Sequence, residues 1–218
     1  MQIILASAKI MNAKTAVKVP IETQPVYEAT AERFALEMSS WSVEMLAEAF
    51  HCSMSIALEN RLRFQSFFND NEKMSALLAY NGHAYKYLQA SSFSEADFRF
   101  AQSHLFITSF LYGLLRPSDK IHPYRMEAKV HLHAAEDQNM FAFWRSRLTD
   151  TLIEAVKKDD GVLIHLATEE YEHLFDWKRI CREVKVIQPL FYVEKGDKMK
   201  VVSVYAKQCR GAMTGCII

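Results

Sequence analysis

Five basic residues are placed where they could hold an anion. Lys9 follows a short apolar run, Arg116 and Arg125 flank a turn-rich segment, and Lys207 and Arg210 lie three apart near residue 218. A spacing of three puts both of the last pair on one helix face. Arginine forks two donors onto a phosphate or carboxylate, whereas lysine offers a mobile point charge. Glu127, Glu169 and Tyr124 accompany them. Carboxylates in such company pair with cations, orient a ligand or move a proton. Lys9, Glu127 and Glu169 are therefore the candidate acid–base residues. The competing reading is a structural ion-pair network that fixes an irregular segment.

That segment is Ser109–Glu127, Ser-Phe-Leu-Tyr-Gly-Leu-Leu-Arg-Pro-Ser-Asp-Lys-Ile-His-Pro-Tyr-Arg-Met-Glu. It begins too apolar for a loose loop, and Gly113, Pro117 and Pro123 break it too often for one helix or strand. Read as helix, turn, helix, Leu111-Tyr-Gly-Leu114 has the form of a helix-hairpin-helix, which offers backbone N–H groups to a DNA phosphate. The plainer reading is a helix ended by Gly113.

The 218 residues are half hydrophobic and a quarter charged, an ordinary globular composition. With 26 basic and 26 acidic residues the net charge is zero, so any phosphate or nucleic acid must be held by a local patch. Cys52, Cys181, Cys209 and Cys216 form no Cys-x-x-Cys pair, which fits reduced thiols in a cytoplasmic protein. No signal peptide and no apolar run of the roughly 20 residues that span a bilayer are present, so no membrane partner is expected. There is no Gly-x-Gly-x-x-Gly, P-loop or Gly-x-Ser-x-Gly. His131-x-His133, with Glu136 and Asp137, offers metal-binding side chains at a spacing that fits no known rule, and His165 in an apolar run reads as a core histidine. No metal and no cofactor are expected.

Hydrophobic periodicity predicts strands at Gln2–Ala6, Ser75–Tyr80, Val162–Ala167, Lys185–Val193 and Met199–Tyr205. Glu194–Lys198 joins the last two as a hairpin with Gly196 in the turn. Helices are predicted over Tyr27–Glu37, Val43–His51, Met54–Phe68, Glu95–Thr108, Met140–Lys158 and Glu170–Cys181, and one begins in Ala206–Ile218. Ser42 and the Ser94–Asp97 box cap two of them. Residues 10–25 form an extended excursion. This is a mixed α/β (α+β) protein, one domain over 1–218 with a central mixed sheet surrounded by helices. If the strands are neighbours, their carboxyl ends and the basic residues that follow them converge.

Ala6-Ser-Ala-Lys9, Ser109–Glu127, Phe143-Trp144, Leu166-Ala-Thr-Glu-Glu-Tyr171 and Tyr205-Ala-Lys-Gln-Cys-Arg-Gly211 fall in the order of motifs in the YaaA family of bacterial peroxide-stress proteins, which the whole chain resembles. The resemblance implies a cytoplasmic protein that limits damage from free intracellular iron. It implies a compact α/β fold peculiar to the family, and sequence-independent, modest binding of double-stranded DNA through a basic cleft and a helix-hairpin-helix-like element. It brings no established reaction. The ligand- or DNA-binding residues it implies are Lys9, Tyr112, Gly113, Arg116, Tyr124, Arg125, Lys207 and Arg210. An enzyme acting on a small anionic or nucleotide-like substrate in the same cleft is the alternative.

The chain departs from the family pattern in five places. No proline precedes Lys9, Phe110 replaces a glycine, Glu169 replaces an asparagine and Gln208 replaces a cation. Family members continue beyond the position of Ile218, so a C-terminal tail is expected to be lacking here.

Overall fold

The computed structural model describes residues 1–12, 14–69, 72–196 and 198–218. β1 (Gln2–Ala6) opens on a buried Gln2, continues through the buried apolar Ile3, Ile4 and Leu5, and ends on a half-buried Ala6. A long excursion follows, tied back by isolated bridges from Met11 to Tyr80 and from Thr23 to Asp119. Next come α1 (Glu28–Ser39), α2 (Val43–Ala49), α3 (Met54–Gln65), β2 (Met74–Ser75), α4 (Ala76–Ala79), α5 (His83–Leu88) and α6 (Glu95–His104). The middle of the chain supplies β3 (Leu105–Ser109), β4 (Gly113–Leu115), β5 (Lys120–Ile121), β6 (His131–Leu132), β7 (Gln138–Asn139) and α7 (Met140–Lys158). Last are β8 (Val162–Leu166), α8 (Glu169–Glu172), α9 (Trp177–Glu183), β9 (Lys185–Ile187), β10 (Val193–Lys195), β11 (Lys198–Lys200) and α10 (Ser203–Ile217).

The central sheet has the order β4-β3-β1-β8-β9. β1 pairs in parallel with β3 and β8, and β8 with β9, while β4 runs antiparallel at one edge. Ile3, Ile4 and Leu5 at its centre are almost wholly buried, as parallel strands covered on both faces must be. α7 buries Phe143, Trp144, Leu148 and Leu152. The result is one mixed α/β domain, as the pattern of elements predicts.

Several expected elements change identity. Ser75–Tyr80 is the short strand β2 followed by the helical turn α4, in keeping with Ala76-Leu-Leu-Ala79, which are better helix than strand formers. The helix expected over Glu95–Thr108 ends at His104, and Leu105–Ser109 is an inner strand of the sheet. Glu170–Cys181 is two short helices, and Met199–Tyr205 is divided between β11 and α10. The β10–β11 turn places Gly196 at φ +62; Asp197 in that turn lies outside the described residues.

The helix-hairpin-helix expected around Leu111–Leu114 is instead the tight β3–β4 hairpin. Gly113 takes φ +73, and a Cβ there would stand 2.8 Å from the Trp144 ring, so both conformation and space require glycine. Trp144 Nε1 donates to the Phe110 carbonyl at 2.8 Å and fixes the turn against α7. Among the described residues no helix is long and apolar enough to cross a membrane.

Candidate anion-binding cleft

β1 and β8 lie side by side, yet the chain leaves them in opposite directions, β1 leading towards β3 and β8 towards β9. The carboxyl ends of two such strands leave a crevice between the diverging loops, the usual ligand position in an α/β sheet. A cavity of about 300 Å³ occupies this crevice. Ser7 and Lys9 line it from the loop after β1, His83 from the start of α5, Tyr171 from α8, and Lys207 and Arg210 from α10.

Glycine contacts bring α10 to the cleft. An added Cβ at Gly211 would stand 1.8 Å from the Ala84 carbonyl oxygen on α5, and one at Gly215 would stand 2.9 Å from that of Leu88. Only glycine lets the two backbones approach this closely. Lys207 and Arg210, four residues and one residue before Gly211, therefore reach the cavity wall. Burial pulls the Arg210 guanidinium below its ordinary range, opposed by the charge of Glu169; it remains cationic at neutral pH.

The excursion after β1 returns Lys9 to the segment 124–127. Lys9 Nζ lies 2.7 Å from the Glu127 carboxylate, and Arg125 Nη2 lies 2.8 Å from its Oε1. The Lys9 side chain is 60% exposed, whereas Glu127 and Arg125 are 14% and 15% exposed. Glu127 thus anchors two cations at the rim and lowers their combined charge to +1.

A buried hydroxyl network lies behind the cleft, and Ser7, Tyr85 and Tyr171 of it line the cavity. Ser7 Oγ lies 3.1 Å from Tyr171 OH, and Tyr124 OH lies between Ser109 Oγ at 2.6 Å and Tyr80 OH at 2.7 Å. Tyr85 OH donates to the Ala6 carbonyl at 3.0 Å. Burial pushes the Tyr124 phenol up to about 12 and raises those of Tyr80, Tyr85 and Tyr171 as well. At neutral pH all four are hydrogen-bonding hydroxyls and not bases. Phe110 stacks on Tyr171 with ring centres 4.9 Å apart and planes 8° from parallel. Phe110 has no positive φ, so the residue that replaces the family's glycine braces the cleft wall without backbone strain.

The expected site residues divide by position. Lys9, Lys207 and Arg210 line the cavity, Tyr124 and Arg125 line a small chamber beside it, and Glu127 holds Lys9 and Arg125 together. Glu169 is exposed and acts on Arg210 through its charge, while its neighbour Glu170 lines the cavity. Tyr112 and Gly113 are buried in the β3–β4 hairpin, where Tyr112 OH accepts from His122 N at 3.2 Å.

Arg116 stands at the opposite end of the sheet. Its guanidinium lies 3.4 Å over the Phe106 ring and donates to Gln2 Oε1 at 3.1 Å and the Leu105 carbonyl at 3.2 Å. Burial lowers its pKa to about 10. Asp119, whose own carboxyl is raised by burial, accepts from Arg116 N at 2.7 Å. Arg116 is thus held by hydrogen bonds and a ring contact, and the ion pairs at the far end of the segment are those of Lys9 and Arg125 with Glu127.

Sequence reasoning did not single out Ser7, His83 or Glu170. Asn81-Gly82 carries a turn signal, but nothing local marks His83 as facing β1. His131 and His133 are exposed, and His133 pairs with Asp137 at 2.6 Å. Among the described residues no group of three or more His, Cys, Asp or Glu side chains is placed to hold a metal ion. Another basin, of about 480 Å³, contains Lys14, Lys18, Lys73 and Lys120, and acids answer two of these cations: Lys120 pairs with Glu22 at 2.9 Å and Lys73 with Glu28 at 2.8 Å.

A family model described as peroxide stress protein YaaA matches residues 1–218. A UPF0246 protein of Bacteroides thetaiotaomicron is 45% identical over 219 residues, covering all of this chain and 85% of its own length. One from Phocaeicola vulgatus is 44% identical, with 86% of its length covered. A more distant one, from Crocosphaera subtropica, is 36% identical over 223 residues, again covering all of this chain and 86% of its own. The chain belongs to the YaaA family of peroxide stress proteins.

Proposed function

We propose that the protein serves peroxide-stress protection by holding a phosphate-bearing small ligand in the cleft at the carboxyl ends of β1 and β8, and that this activity limits iron-linked damage. The observation that carries the reading is the convergence of Lys9, Lys207 and Arg210, from two distant parts of the chain, on one cavity of about 300 Å³. That volume sits at the lower end of small-molecule sites and suits a ligand of mononucleotide size. Two cations on one helix face suit a phosphate, and the Ser7 and Tyr171 hydroxyls suit its further oxygens. Peroxide stress comes from the family's description. A reaction on such a ligand would draw on Lys9, His83 or Glu170, which line the cavity.

Sequence-independent double-stranded DNA is the second reading. The exposure of Lys9 and Lys207 at the rim favours it, since a phosphodiester backbone can reach them without entering the cavity. The buried β3–β4 turn offers DNA no surface, so this reading rests on the rim cations.

Calorimetric titration separates the two. Adenosine 5′-monophosphate is expected to bind saturably and to be displaced by inorganic phosphate. A short duplex is expected to bind with an affinity that falls as salt rises. No heat from the mononucleotide at millimolar concentration sinks the first reading; a duplex affinity independent of salt sinks the second.

A further inference from the structure

We infer that the ligand of this cleft has two acceptor ends: a phosphate facing Lys207 and Arg210, and a second phosphoryl or carboxylate group, one oxygen of which enters a side chamber beside Arg125. The inference rests on the small-ligand reading above.

The side chamber holds about 30 Å³ and shares Ser7, Lys9, Glu170 and Tyr171 with the main cavity. It continues to Tyr124 and Arg125. A space of this size takes a single oxygen atom. Arg125, which lines it, carries an unused donor. Its Nη2 is committed to Glu127 at 2.8 Å, but its Nε is buried and has no hydrogen-bond partner. A buried donor on a charged guanidinium is seldom left unpaired, and a charge-assisted bond to an anionic oxygen is among the strongest it can make. The Tyr124 and Tyr171 hydroxyls, both protonated at neutral pH, border the same chamber.

The region shared by the two spaces narrows the ligand class. Lys9 suits the remaining charge of the second anionic group. Glu170 lies between the two ends and repels a third anion, so it suits a hydroxyl on the ligand's connecting atoms. Two anionic ends joined through hydroxyl-bearing carbons describe a sugar or nucleoside bisphosphate, or a phosphorylated hydroxy acid. Arg116 and the Lys14–Lys120 basin offer no comparable pair of linked spaces.

The test compares adenosine 5′-monophosphate with adenosine 3′,5′-bisphosphate by calorimetry. The native chain is expected to bind the bisphosphate at least ten-fold more tightly. Arg125→Lys keeps a cation beside Glu127 but loses the Nε donor. It is expected to weaken the bisphosphate at least five-fold more than the monophosphate and so to lose the preference for the bisphosphate. Arg125→Gln, with folding checked by thermal melting, is expected to lose the preference likewise. Equal affinities in the native chain, a preference retained in Arg125→Lys, or equal weakening of both ligands by that change would overturn the inference and leave the small-ligand reading standing. Failure of both ligands to bind overturns the two together.

Discussion

Gly211 of α10 approaches Ala84 of α5 so closely that a Cβ on the glycine would lie 1.8 Å from the alanine's carbonyl oxygen. The obstacle is backbone, which cannot swing aside as a side chain can. Gly211→Ala should therefore push α10 away from α5, costing about 3 kcal/mol in urea unfolding, at the upper end of overpacking effects. It should also weaken mononucleotide binding, because Lys207 and Arg210 ride on the displaced helix. Unchanged stability and unchanged affinity would show that this contact does not set the position of α10.

Arg116 makes the opposite prediction. Its guanidinium is stacked on Phe106 and bonded to the Gln2 side chain at the amino end of β1 and to the Leu105 carbonyl at the amino end of β3. Arg116→Ala should cost roughly 3 kcal/mol through lost hydrogen bonds and the cation–π contact. It should leave mononucleotide and duplex affinities as they were. A binding loss without a stability loss would place Arg116 in the ligand site after all.

His165 gives stability a defined pH dependence. Its side chain is fully buried, donates Nε2–H to Glu172 Oε1 at 2.9 Å, and is held neutral by burial and by the nearby Arg210, with a pKa lowered to about 4. The unfolded chain takes up a proton near the ordinary value of about 6.5, whereas the folded chain does not. Stability from this residue is thus complete above about pH 6.5 and declines as pH falls towards 4, by up to ~3 kcal/mol. Urea midpoints measured across this range should fall in the native chain, and His165→Gln should flatten the slope. An unchanged slope would refute the assignment.

Why Arg116 and Arg125 look alike in sequence and part company in space follows from strand direction. β4 is antiparallel to β3, so the residue after Leu115 emerges at the amino end of the parallel strands, away from the cleft. The turn at Pro117 and the irregular run 122–127 then return the chain to the carboxyl end, where Arg125 meets Lys9 through Glu127. Local pattern carries no information on this reversal. β3 was hidden for a related reason: no glycine or proline separates it from α6, and Phe98 and Ala101 sustain a helical period up to the boundary. The capped helices, β1, β8 and α7 were legible because periodicity and capping residues are local. Lys9 was legible because it follows a buried strand, whereas Lys207 and Arg210 lie within α10 behind the exposed β10–β11 hairpin, and the glycine contacts of α10 with α5, not a strand end, bring them to the cavity. His83 and Glu170 were not legible, since their role depends on which residues face them.

The most direct test of the account is the Lys207→Ala/Arg210→Ala double variant titrated with adenosine 5′-monophosphate. Lys207 is exposed and Arg210 half-buried, so stability should change by no more than about 1 kcal/mol. Losing two phosphate contacts should lower affinity at least 30-fold, about 2 kcal/mol. Affinity equal to that of the native chain, in a variant that still melts cooperatively, would contradict the claim that this cleft is the anion site.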